Sequence, residues 1–131
     1  MNDTKYIGLD VHQATISAAV LDSTGKLLME SVLETRASTI LQFIHGLRGS
    51  VQVTFEEGTC AAWLHDLLKP HVANVLVCDP RKNALLQSGN KNDRIDARKL
   101  ADLFRNGLLC PVYQERTAYE LCRNWLAATW H

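Results

Sequence analysis

Asp93 and Asp96, in the stretch KNDRIDARKLADLF, are the carboxylates whose spacing most invites chemistry. Residues three apart share one face of a helix. That face continues through Ala97, Leu100, Leu103 and Phe104, an apolar stripe at helical spacing that should turn toward a core. Both aspartates are therefore expected on the inward side. A carboxylate there costs on the order of several kcal/mol unless it is paired, hydrogen-bonded or bound to a cation. The competing reading is that Asp93, or Asn92 before it, caps the helix and that Asp96 pairs with a nearby arginine.

Two further acids can join this pair. KYIGLDVH (Lys5–His12) alternates, with Ile7, Leu9 and Val11 on one face and Tyr6, Gly8, Asp10 and His12 on the other. VQVTFE (Val51–Glu56) does the same, setting Val51, Val53 and Phe55 against Gln52, Thr54 and Glu56. Asp10 and Glu56 thus lie near strand ends, opposite their apolar rows. If the two strands are parallel neighbours, both acids emerge at the carboxyl edge of the sheet, where open α/β sheets place ligands. Converging carboxylates repel one another and raise their own pKa values, a penalty that a divalent cation removes. Oxygen-only ligation suits Mg²⁺ or Mn²⁺. Two such ions roughly 3.5 to 4 Å apart would stabilise both the attacking and the leaving oxygen of a phosphodiester in an in-line displacement. Asp10 could instead serve the turn at His12 and Gln13, and Glu57 competes with Glu56, which strand parity favours. His12 and His65 read as ordinary surface or core residues and are left out of the set.

Lys91, Arg94, Arg98 and Arg105 fall roughly along one stripe beside the acids, with Arg81 and Lys82 upstream. Such a stripe can grip a phosphate backbone. It can equally be a solvated face, partly neutralised by Asp102 four residues after Arg98.

The elements that must position these residues follow from periodicity. Strands are expected at residues 5–12, 15–21 and 26–32, the last two joined by the turn DSTG, and the short links make the three an antiparallel meander. A helix over Ser38–Leu47 with Ser38 as its cap comes next, then the strand ending at Glu56. Cys60–Leu68 reads as a helix with Trp63, Leu64, Leu67 and Leu68 as its apolar side, and NVLVC (Asn74–Cys78) as a buried parallel strand. The aspartate-bearing helix follows. Strand–helix–strand crossovers require parallel pairing, so the β-β-β-α-β-α-β-α order implies a mixed α/β sheet of the ribonuclease H-like arrangement. Glu115–Trp130 patterns as a C-terminal helix with an apolar stripe bearing Trp125.

At 131 residues the chain suits one globular domain. Its 14 basic and 14 acidic residues cancel, so attraction to nucleic acid must come from local patches rather than the overall field. Cys60, Cys78, Cys110 and Cys122 form no CxxC pair or zinc-ribbon spacing, which points to reduced thiols. No membrane span or signal peptide is evident, and a cytoplasmic location is expected.

YIGLDVHQATISAAVLDSTGKLL, VTFEEGTCAAWLHDLL and VLVCDPRKNALLQSGNKNDRIDARKLADLFRNGLL resemble the N-terminal domain of the DEDD insertion-sequence transposases, the group that includes the Piv recombinase. The resemblance spans about residues 5 to 113, and F-E-x-G followed by K-x-D-R-x-D-A carries it. It implies a RuvC-like domain binding Mg²⁺ or Mn²⁺ through four acids, which fall on Asp10, Glu56, Asp93 and Asp96. It further implies DNA of a mobile element as substrate, transposition or recombination as the reaction, homo-oligomers, and in many members a structured guide RNA. Residues 1–113 are then the catalytic domain and 114–131 the start of a helical linker toward a C-terminal domain bearing a serine nucleophile, which is absent from this sequence. A full reaction by this chain alone is not expected.

Two other classes compete. One is a truncated, non-catalytic remnant that binds nucleic acid or dimerises through its Trp-bearing terminal helix. The other is an ATPase of the sugar-kinase and chaperone type, whose phosphate hairpin needs small residues after the first Asp, where this chain has Val11, His12 and Gln13.

Overall fold

The computed structural model of the protein describes residues 3–79, 96–109 and 111–112. The elements run β1 (Thr4–Val11), β2 (Thr15–Leu21), β3 (Leu27–Glu34), α1 (Ala37–His45), β4 (Ser50–Glu56), α2 (Ala61–Leu68), a 3-10 turn (Lys69–His71), β5 (Asn74–Cys78) and α3 (Ala97–Arg105). This is the element order expected from periodicity. The C-terminal helix expected over Glu115–Trp130, and with it the linker, lies outside the described residues.

One five-stranded sheet forms, in the order β3-β2-β1-β4-β5. β1, β2 and β3 pair antiparallel across short turns, while β1–β4 and β4–β5 pair parallel because α1 and α2 carry the chain back between them. The fold is a mixed α/β sheet with helices on both faces, compatible with a ribonuclease H-like arrangement.

Helices cover the two faces differently. On one, Ile7, Leu9, Val53 and Phe55 pack with Ile40 and Ile44 of α1 and Leu64 and Leu68 of α2. On the other, α3 lies across β1 and β2. Its approach is set by Gly8, where a Cβ would stand 2.1 Å from the Ala97 carbonyl oxygen and 2.7 Å from the Ala101 nitrogen. Ala97, Leu100 and Ala101 are buried there, and Tyr6 meets Phe104 edge-to-face at 5.8 Å. The row of β1 and β4 opposite the large apolar side chains is therefore also interior. Thr54, in register with Gly8, is fully buried and donates its hydroxyl to the Leu76 carbonyl at 3.0 Å.

Two local expectations change. Helix α1 is capped at Arg36 without a side-chain bond, so Ser38 sits inside the helix rather than at its cap. Trp63, expected on the apolar side of α2, is 43% exposed, because Leu64 and Leu68 point to the sheet and Trp63 lies off their line. Among the described residues no helix is long and apolar enough to cross a membrane.

Candidate carboxylate site

Strand register fixes the first two acids. In the parallel β1–β4 pair, Leu9 stands beside Phe55, so Asp10 and Glu56 are the next positions on neighbouring strands, at their carboxyl ends. Asp10 is opposite Ser17 of β2, and Glu56 is in register with Cys78 of β5. The bond from Glu57 N–H to the Cys78 carbonyl, 2.8 Å, carries the pairing one residue further and holds the end of β4. By the alternation of side chains along a strand, both acids belong to the α3 side of the sheet.

Asp96 arrives from α3, in a way the helical stripe did not predict. It is the N-cap, with extended backbone (φ −76°, ψ 171°), and its Oδ1 accepts from the Lys99 N–H at 2.8 Å. Helical periodicity does not reach a residue outside the helix, and Asp96 is exposed rather than turned to the core. The stripe itself is oriented as expected, with Ala97 and Leu100 buried and Leu103 and Phe104 partly so. Capping and proximity to the sheet acids are compatible here. A cleft of about 520 Å³ is lined by Asp10, Ser17, Glu30, Val32, Asp96 and Arg98 among others, so Asp10 and Asp96 share its wall.

Arg98 lines this same cleft, whereas Arg105 lies at the other end of α3. There its guanidinium reaches Asp102 at 3.3 Å and packs on Gly25 of the β2–β3 turn, so closely that a Cβ at Gly25 would lie 2.8 Å from Nη2. That turn sits at the edge of the sheet opposite Asp10, since β2 runs away from it antiparallel to β1. Asp93, Lys91 and Arg94 lie outside the described residues.

Sequence reading passed over Ser17, Glu30 and His12. Ser17 was legible only through register, being the cross-strand partner of Asp10. His12, just past the end of β1, places Nε2 3.1 Å from Asp10 Oδ2, and its spacing of two residues from Asp10 was the available signal.

The donor set suits a hard divalent cation: Asp10, Glu56 and Asp96 supply only oxygen, from three elements that meet at one edge of the sheet. Among the described residues no three His, Cys, Asp or Glu side chains are gathered closely enough to hold an ion. The fit is therefore one of donor chemistry alone, and Asp10, Glu56 and Asp96 are the described acids that could contribute to it.

A family model described as a transposase, that of the DEDD group of IS110, matches residues 7–127. The chain belongs to the DEDD transposase family. Over 106 residues it is 32% identical to a protein of Leptospira borgpetersenii named as the transposase for insertion sequence element IS1533. That alignment takes in 77% of this chain and 31% of the relative, so the chain spans about a third of the relative's length. The matched residues of this DEDD transposase chain include most of β1, with Asp10, all of β4, with Glu56, and α3 with its N-cap Asp96.

Proposed function

We propose that this chain is the metal-binding catalytic domain of a DNA transposase, acting on DNA phosphodiesters through Asp10, Glu56, Asp93 and Asp96. The observation that carries the reading is the meeting of Asp10 and Asp96 on one cleft wall, with Glu56 beside Asp10 on the adjacent parallel strand. Membership of the DEDD transposase family supports it. A bound Mg²⁺ or Mn²⁺ would supply Lewis-acid stabilisation of the attacking and leaving oxygens.

The chain's own residues would do the rest. Asp10 and Glu56, fixed by the sheet, form the rigid side of the site, and Asp96 closes it from the start of α3. Arg98, one helical step from Ala97 and lining the same cleft, would engage a backbone phosphate next to the reacting one, together with Lys91 and Arg94 of the motif. This local charge would draw DNA to a chain of zero formal net charge. Further steps, including oligomerisation and use of a structured guide RNA, belong to the proposal for the longer proteins that this chain resembles.

The test is a thermal melt of the wild type, Asp10→Asn and Asp96→Asn with Mn²⁺ or Mg²⁺ titrated in. Ligand binding to the native state alone stabilises by about 2.7 kcal/mol at a hundredfold excess over Kd. The wild type should rise in Tm and the two variants should not. A wild type indifferent to either ion, or an Asp10→Asn variant that responds equally, would remove the four-acid site.

A further inference from the structure

We infer that His12 is a positioning residue for the carboxylate site, holding the Asp10 side chain for a divalent cation through a hydrogen bond from Nε2 to Oδ2. The inference rests on the reading of Asp10 as a cation ligand. His12 Nε2 lies 3.1 Å from Asp10 Oδ2, with the Asp10 side chain 19% and the His12 side chain 40% exposed.

What makes this a built arrangement is the main chain beneath the ring. The His12 N–H donates to the Thr15 carbonyl at 2.9 Å, and the His12 carbonyl accepts from Thr35 Oγ1 at 3.1 Å. Thr35 in turn donates its N–H to the Ala14 carbonyl at 3.1 Å. The loop between β1 and β2 is thereby tied to the residue following β3, and the imidazole leaves a backbone fixed from two sides. His12 follows the last residue of β1, Val11, and from this loop its ring reaches back to the Asp10 carboxylate.

The chemistry follows from donor and acceptor inventories. A neutral imidazole with its proton on Nε2 is a donor to Oδ2. A carboxylate offers about four lone-pair sites, so one N–H bond is compatible with simultaneous cation ligation. Outer partners of this kind orient the ligand oxygen, and their loss typically costs about 10- to 100-fold in metal affinity.

The experiment measures Mn²⁺ affinity of the 131-residue chain by calorimetry for the wild type, Asp10→Asn, His12→Ala and His12→Gln, with metal-free melting temperatures alongside. His12→Ala should bind about 10- to 100-fold more weakly with little change in the metal-free Tm. His12→Gln, which keeps a side-chain N–H donor, should recover most of the affinity. An equally weak Gln variant overturns the positioning role, as does an Ala variant that binds as tightly as the wild type or more tightly. Should His12→Ala not fold, the Gln variant decides alone by the same criterion. If the wild type fails to bind Mn²⁺, the four-acid reading falls and this inference with it. Wild-type binding lost in Asp10→Asn but unchanged in His12→Ala overturns only the role of His12.

Discussion

At the level of single residues, Asp96 does two things that different substitutions separate. As N-cap it accepts the Lys99 N–H, a role Asn fills nearly as well as Asp and Ala does not. Asp96→Asn should therefore keep the metal-free stability close to wild type, whereas Asp96→Ala should lose about 1 kcal/mol, read by denaturant unfolding. Both should lose the metal response. Equal metal-free stability of the two variants would mean that the cap contributes nothing. A second carboxylate has a purely structural task. Asp22 closes the β2–β3 turn, and the Thr24 hydroxyl bond, followed by the Lys26 N–H, holds its pKa below the ordinary 3.8. Its stabilising contribution is thus fully present above pH 3.8 and disappears as pH falls through the lower folded-state value. Wild type and Asp22→Asn should accordingly differ in Tm at neutral pH and converge on acidification below pH 3.8; a gap that widens there would contradict this turn chemistry.

At the level of elements, the decisive contact is α3 on β1, because it brings Asp96 to Asp10. Gly8 permits it: a Cβ at that position would collide with the backbone of Ala97 and Ala101, and backbone in a helix has no rotamer with which to yield. Gly8→Ala should cost about 3 kcal/mol, the upper end of overpacking penalties, a fall of roughly 10 °C in midpoint for a domain of this size. It should also abolish the metal response without touching a carboxylate. Retention of both would mean that the helix is seated otherwise. This contact also marks what sequence can reveal. Alternation in KYIGLDVH and VQVTFE located β1 and β4, and put Asp10 and Glu56 opposite their apolar rows, because burial of one face imposes period two. On the other face Gly8 and Thr54 are buried under α3, and a small residue or a satisfied hydroxyl leaves no hydrophobic signal of a helix overhead. The orientation of Asp96 escaped for a related reason: a periodic stripe identifies the helix, but only the cap geometry says where it starts.

On the scale of the whole molecule, charge decides how nucleic acid could be held. With 14 basic and 14 acidic residues, attraction to a duplex must be local, and the cleft edge near Arg98 is where cation and carboxylates coincide. Arg105, at the far end of a nine-residue helix and thus about 10 Å along its axis from Arg98, is already engaged with Asp102 and the turn at Gly25. The two arginines should therefore behave differently. Each phosphate neutralised on a duplex contributes about −0.9 to the slope of log K against log salt. Arg98→Ala should flatten that slope by about 1 in anisotropy titrations with a labelled duplex, leaving Tm nearly unchanged. Arg105→Ala should leave the slope intact and lower Tm, since it removes packing over Gly25 rather than a phosphate contact. An Arg105→Ala slope as flat as that of Arg98→Ala would extend the footprint along the whole of α3, and the DNA path would then run down the helix instead of across the carboxyl edge of the sheet.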